Sequence, residues 1–234
     1  MHLATSILFT IALVTQLAAA DIDGLVVVKH RLTKRRVTAP AGEYERGIPV
    51  KLASDQSAQN DVLAYERAHV VIYVEGAHPA PQTSAVIEQK NRRFLPDLVV
   101  IPAGSSVSFP NFDPIFHNVF SLSKAKSFDL GNYSKGQTRT VRFPSPGVVL
   151  VNCHLHTNMA ASIVVTPNGF FASPSEEGRF SLKSLPPGTH TVVAWHKSAG
   201  FFRKTVTVGP NQNATVEFVI PLNADGTPEI ATSK

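Results

Sequence analysis

Between Gly24 and Ile220 almost every apolar stretch is short, β-branched and stopped by Gly, Pro, Asn or Asp. The runs include "GLVVV" (24–28), "HVVIYVEG" (69–76), "DLVVIPAG" (97–104), "SVSFPN" (106–111), "HNVFSL" (117–122), "RTVRF" (139–143), "VVLVN" (148–152), "SIVVT" (162–166), "RFSL" (179–182), "HTVVAW" (190–195), "KTVTV" (204–208) and "TVEFVI" (215–220). Valine, isoleucine and threonine are stiff at χ1 and pack well on a pleated surface. A helix needs about ten or more residues with apolar positions recurring every 3.6, and no long stretch has that period. Strand-length runs at short spacing, with turn residues between them, predict an all-β sandwich or barrel. One stretch stands apart: "SDQSAQNDVLAYERA" (54–68) reads as a turn or two of helix, or as a loop.

Where the chain resides decides how its cysteine is read. "MHLATSILFTIALVTQLAAA" (1–20) is an apolar run ending in an A-x-A pattern, which predicts a secretory signal peptide cut after Ala20. A retained anchor is the alternative, because the first residues carry no Lys or Arg. No later run approaches the ~20 apolar residues that span a bilayer, so the mature chain, Asp21 to Lys234, is expected to be soluble and periplasmic or secreted. In such a compartment the single cysteine, Cys153, cannot pair within the chain. It is buried and inert, bridged to another molecule, or occupied by a metal. Net charge is +5, spread along the chain except for "KHRLTKRR" (29–36), a solvated loop or a contact for an acidic partner or membrane surface. An exported chain without a matching motif gives no reason to expect nucleic acid.

The cysteine lies in "CHLHTNM" (153–159), which also holds two of the nine histidines and one of the two methionines. Thiolate, imidazole and thioether together are a soft donor set, suited to copper in both oxidation states. Cys153, His156 and Met159 fall at C-x₂-H-x₂-M, so a tight loop leaving a strand can turn all three to one point. Trigonal His₂Cys ligation with a long axial Met is the arrangement of electron-transfer copper sites. A second histidine must then come from another strand. His117 is the candidate: it follows an Asn-Phe-Asp-Pro turn and opens a strand that a Greek key can bring beside Cys153. Asn118 would then reach the cysteine sulfur and tie the two loops together.

With these residues in view, the stretch from Val86 to Val165 resembles a cupredoxin, and among cupredoxins the short-loop members such as amicyanin. The resemblance rests on "RFLPDLVVIPAGSSVSFPNFDPIFHNV" (93–119), "PGVVLVNCHLHTNM" (146–159) and the closing "SIVVT". It implies a Greek-key sandwich holding one type 1 copper ion, with His117, Cys153, His156 and Met159 as ligands and Asn118 as the residue behind them. It also implies that His156 is the exit for the electron and Leu155 part of an apolar docking patch. Short-loop cupredoxins often carry proline beside the second histidine, where this chain has Leu155 and Thr157. His154, next to the cysteine in an extended segment, is expected to face the opposite way.

A second resemblance covers "SEEGRFSLKSLPPGTHTVVAW" (175–195), which is similar to the carboxypeptidase regulatory-like domain, a transthyretin-like β-sandwich. "IDGLVVV" and "HVVIYVEG" resemble its first strands. The expected plan is a signal peptide (1–20), an N-terminal β segment (21–84), the cupredoxin domain (85–166), the smaller β domain (167–222) and a flexible tail (223–234). Either the cupredoxin interrupts a sandwich built from both chain ends, or two β domains follow in series. Three functions remain open: one-electron transfer, Cu(I) binding and delivery, or a metal-free β-scaffold. The expected partner is a dehydrogenase, cytochrome or oxidase, or else a copper acceptor, with Lys124, Lys126 and Lys135 steering it. No Ser-His-Asp arrangement, carboxylate pair or phosphate loop is legible, and carrying an electron needs no substrate chemistry, so no free-standing enzyme is expected.

Overall fold

The computed structural model describes residues 19–32 and 62–220. Its elements in chain order are β1 (Ala20–Val28), α1 (Val62–Ala68), β2 (Val70–Val74), β3 (Ser84–Val86), β4 (Glu88–Lys90), β5 (Arg93–Leu95), β6 (Leu98–Pro102), β7 (Ser106–Pro110) and β8 (His117–Ser123). They continue with β9 (Lys126–Tyr133), β10 (Thr138–Arg142), β11 (Gly147–Asn152), β12 (Ala160–Thr166), β13 (Phe171–Ala172), β14 (Arg179–Leu185), β15 (Gly188–His196), β16 (Gly200–Val208) and β17 (Ala214–Ile220). The all-β expectation holds. The stretch open to helix forms α1 in its last residues, and 54–61 lie outside the described part. Among the described residues no helix is long and apolar enough to cross a membrane.

The middle of the chain builds one sandwich. Its larger sheet runs β6-β12-β11-β8-β9 and its smaller sheet β10-β7-β3, with the β4–β5 hairpin beside them. Alternation along β11 shows how the strands supply the core: Val149 and Val151 point inward while Leu150 is exposed. They meet Phe109, Tyr133, Phe143 and Ile163 in one buried cluster that also contains Cys153 and Met159. β9 reads "KSFDLGNY" and lies on the sheet edge, where Tyr133 is buried, Phe128 and Leu130 pack partly onto the core and the other side chains are polar or glycine. That polar edge is why no strand is evident there from sequence.

Strands from before and after this segment, β1 and β2 with β13 to β17, build the other sandwich. β1 lies between β14, antiparallel, and β17, parallel; β2 lies between β13 and β15, with β16 beyond. The two sheets enclose a core that includes Ile22, Val26, Ile72, Phe180, Leu182, Val192 and Phe218. A third cluster, Val71, Val164 and Trp195, with Leu98, Val100 and Phe201 against it, joins a sheet of each sandwich face to face. Strand β12 is therefore covered on both sides, which explains why "AASIVVT" does not alternate. Polar contacts support the same seam: His69 Nε2 meets Asp97 Oδ1 at 2.9 Å just before β6. The fully buried pair His196 and Glu66, 3.1 Å apart, pins the short α1 to the end of β15.

Candidate metal centre

β11 ends at Asn152 and β12 begins at Ala160, its antiparallel partner, so residues 153–159 form the hairpin loop between them. Inside the loop Met159 N–H donates to His156 O at 3.0 Å, folding it back on itself. β8 is the other neighbour of β11, and this adjacency brings His117, the first residue of β8, beside Cys153. Sequence separation is thus cancelled by sheet order.

The donor atoms of His117, Cys153 and His156 all lie within 4.8 Å of one another. His117 Nδ1 is 3.0 Å from His156 Nδ1, and Cys153 Sγ is 3.8 Å from the same nitrogen. Ligand bonds of about 2.0–2.3 Å place neighbouring donors of one ion roughly 3–4 Å apart, and both separations fall there. The residues present therefore fit a metal, and a thiolate with two imidazoles suits copper. His117 and Cys153 are buried whereas His156 is only partly so, which leaves one imidazole towards solvent. Met159 is buried at the end of the loop, in the core cluster that holds Cys153.

Asn118 ties β8 to the cysteine loop by two contacts and to β9 by a third. Its backbone N–H points to Cys153 Sγ at 3.4 Å, its side-chain oxygen accepts from His154 N–H at 3.4 Å, and its amide donates to Asp129 Oδ1 at 2.7 Å. His154 turns away from the other two imidazoles and stacks on Phe120, the rings 3.6 Å apart and 3° from parallel. Leu155 is exposed, as are Phe112 and Phe116 on the loop before His117. Lys135 lies beyond Tyr133, the ladder partner of His117, and so at this end of the sheet. Lys124 and Lys126 sit at the opposite end of the β8–β9 ladder, about 20 Å along the strand; steering by them at this site is not supported by their position.

Charge around these side chains has identifiable causes. Burial first, then the neighbouring His117 ring and the Arg92 guanidinium, lowers the pKa of His156 and favours its neutral ring. Asp113 lies 2.8 Å from His117 Nε2. Burial alone would raise its carboxyl, but the N–H of Arg92, the His117 ring and the N–H of Asn91 together hold it below the usual carboxylate range. Asp113 has no signal in the sequence beyond its turn: Asp-Pro reads as a turn, and only the folded loop shows the carboxylate facing the imidazole.

Solved structures similar to part of this chain are copper proteins of the cupredoxin kind. Amicyanin from Paracoccus versutus is 24% identical over 40% of this chain and 96% of its own, with a TM-score of 0.33. A purple cupredoxin from Nitrosopumilus maritimus is 22% identical over 35% of this chain and 99% of its own, with a TM-score of 0.32. A copper-containing nitrite reductase from Thermus scotoductus SA-01 is 22% identical over 39% of this chain, at a TM-score of 0.33, and the match spans only 23% of the reductase. By sequence, no family profile and no curated protein matches the chain.

Proposed function

We propose that this chain is an exported protein that carries single electrons on one type 1 copper ion. His117, Cys153 and His156 would hold the ion, with Met159 as the fourth ligand. The observation that carries this reading is the convergence of two imidazoles and a thiol from two adjacent strands at the buried end of a sandwich. Copper bound there supplies a one-electron couple. The residues supply rigidity: the β8–β11 pairing and the Asn118 contacts fix the loop, so the same donor positions serve both oxidation states. The partly open His156 offers a short exit for the electron, and Leu155, Phe112 and Phe116 offer an apolar surface for a dehydrogenase, cytochrome or oxidase, with Lys135 beside it.

In this reading residues 1–20 are removed on export. The copper domain is inserted into a second sandwich of the carboxypeptidase regulatory-like kind, which includes β1, β2 and β13 to β17. The pairing of β1 with β14 and β17 supports the insertion. Optical and electron paramagnetic resonance spectra of the purified mature chain after adding Cu(II) test the function. An intense visible thiolate charge-transfer band with narrow copper hyperfine splitting is expected. Binding of Cu(I) alone, with rapid handover to a chelator, would replace electron transfer by copper delivery. Binding of neither ion would leave a β-scaffold and refute the proposal.

A further inference from the structure

We infer that Asp113 is a positioning residue for this centre: its carboxylate takes the Nε2–H of His117, turns the lone pair at Nδ1 towards Cys153 and His156, and is itself seated in the turn of the β4–β5 hairpin. The inference rests on the reading of His117 as a ligand. His117 is fully buried, and its two ring nitrogens have distinct neighbours, Asp113 Oδ2 at 2.8 Å from Nε2 and His156 Nδ1 at 3.0 Å from Nδ1. A carboxylate oxygen at that distance accepts from Nε2–H, so in the neutral ring the proton lies on Nε2 and the lone pair on Nδ1. A ligating nitrogen needs that lone pair, and sharing the far nitrogen's proton with a carboxylate makes the ring a better donor.

The carboxylate is held with equal care. Oδ1 accepts from Asn91 N–H at 2.7 Å, and Oδ2 accepts from Arg92 N–H at 2.8 Å as well as from the imidazole. Asn91 and Arg92 are the two turn residues between the paired Lys90 and Arg93, and both have φ of 54°. Consecutive left-handed residues are the signature of a two-residue hairpin turn, and here they direct successive N–H groups at one anion, forming a nest. From the other side, Asp113 N–H donates to Asn111 Oδ1 at 2.9 Å, and the buried Asn111 amide donates to Ile115 O and Tyr133 O. Phe112 N–H reaches Gln89 O at 2.9 Å, which docks the hairpin to the same loop. The hairpin thus acts on the centre without touching a sulfur or a ligating nitrogen.

The test uses the full mature chain with ¹⁵N-labelled histidine. In the metal-free wild type, His117 is expected as a single Nε2–H tautomer by long-range ¹H–¹⁵N correlation. Asp113→Ala is expected to mix the tautomers and to weaken Cu(II) binding, read by competition titration, by about 10- to 100-fold. An unaltered tautomer with Cu(II) affinity within about twofold of wild type, set against that expected loss, overturns the inference. Should Asp113→Ala fail to fold, Asp113→Asn carries the test, since it keeps an oxygen acceptor but removes the charge. It is expected to bind Cu(II) more weakly and to show a higher reduction potential, because a negative group on the ligand favours the oxidised ion; an unchanged affinity and potential overturns the inference. Should the wild type bind no copper, the functional reading fails, and the tautomer comparison alone decides whether Asp113 sets the His117 ring.

Discussion

Replacing Gly24 by alanine tests the pairing that joins the two chain ends. Gly24 lies mid-strand in β1, opposite Phe180 of β14 on one side and Val216 of β17 on the other. A Cβ there would sit 2.2 Å from Phe180 Cζ and 2.5 Å from both Phe180 Cε1 and the Val216 carbonyl oxygen. The phenyl ring is buried against Phe218, and the carbonyl is backbone that belongs to the ladder itself and cannot swing aside. Overpacking of a close-packed interior costs about 1–3 kcal/mol, and a collision with backbone belongs at the upper end, about 3 kcal/mol. For a chain of this size each kcal/mol lowers Tm by about 2–4 °C, so a drop of about 6–12 °C is expected. Unfolding can be followed through Trp195, the only tryptophan, which lies in β15 of the same sandwich. Gly136→Ala is the comparison: no atom lies within 4 Å of its Cβ position, so only its φ of +82° opposes the change, at about 1 kcal/mol. The alternative arrangement predicts the opposite sign. Were β1 an open edge strand of a domain in series, alanine would gain about 0.5–1 kcal/mol over glycine. A Gly24→Ala protein as stable as wild type, or more so, refutes the enclosed position of β1.

Four further outcomes are expected. Cys153→Ser should abolish the thiolate-to-copper band in the visible spectrum while leaving the fold intact; a surviving band would show that another donor produces it. Met159→Leu should retain copper and shift its potential, since the axial ligand tunes it, and an unchanged voltammogram would remove Met159 from the ligand set. Val164→Asp should bury a carboxylate without a partner against Val71 and Trp195, costing about 3 kcal/mol or more and shifting Trp195 emission to the red; unaltered stability would mean that the seam is not packed. The pH dependence follows from His196, which burial, opposed by Glu66, holds down to about 4. An unfolded histidine takes up its proton near 6.5, so between these values the unfolded chain binds more protons. Stability of the metal-free protein is therefore full above about pH 6.5 and falls as pH drops towards 4; urea midpoints that hold steady or rise over that window would contradict it.

Much of this was legible in the residues. "VVLVN" and "HNVFSL" read as strands because their β-branched side chains and bounding turn residues agree with the period they adopt, and "CHLHTNM" offers a soft donor set whatever surrounds it. The illegible parts share a cause. β9 is polar because it lies on an edge, so its strand character comes from pairing with β8 rather than from its own side chains. α1 is seven residues long, too short to be stable alone, and is held by the buried Glu66 and His196. Asp113 reads as a turn residue until the hairpin at Asn91 and Arg92 closes over it. The three lysines look equivalent along the chain, yet the ladder from His117↔Tyr133 to Ser123↔Lys126 sends Lys124 and Lys126 to the far end.

The sequence by itself determined an all-β chain and a loop carrying cysteine, histidine and methionine at spacings that can converge, because those properties depend on side-chain chemistry and on neighbours within a few residues. Tertiary structure alone decided that β1 is enclosed by strands from the other end of the chain, that His117 faces His156 at 3.0 Å, and that a hairpin turn grips the carboxylate behind His117. These are pairings between segments far apart in the chain. Local propensity does not select among such pairings; burial of two common cores and the satisfaction of each buried N–H and carboxylate do.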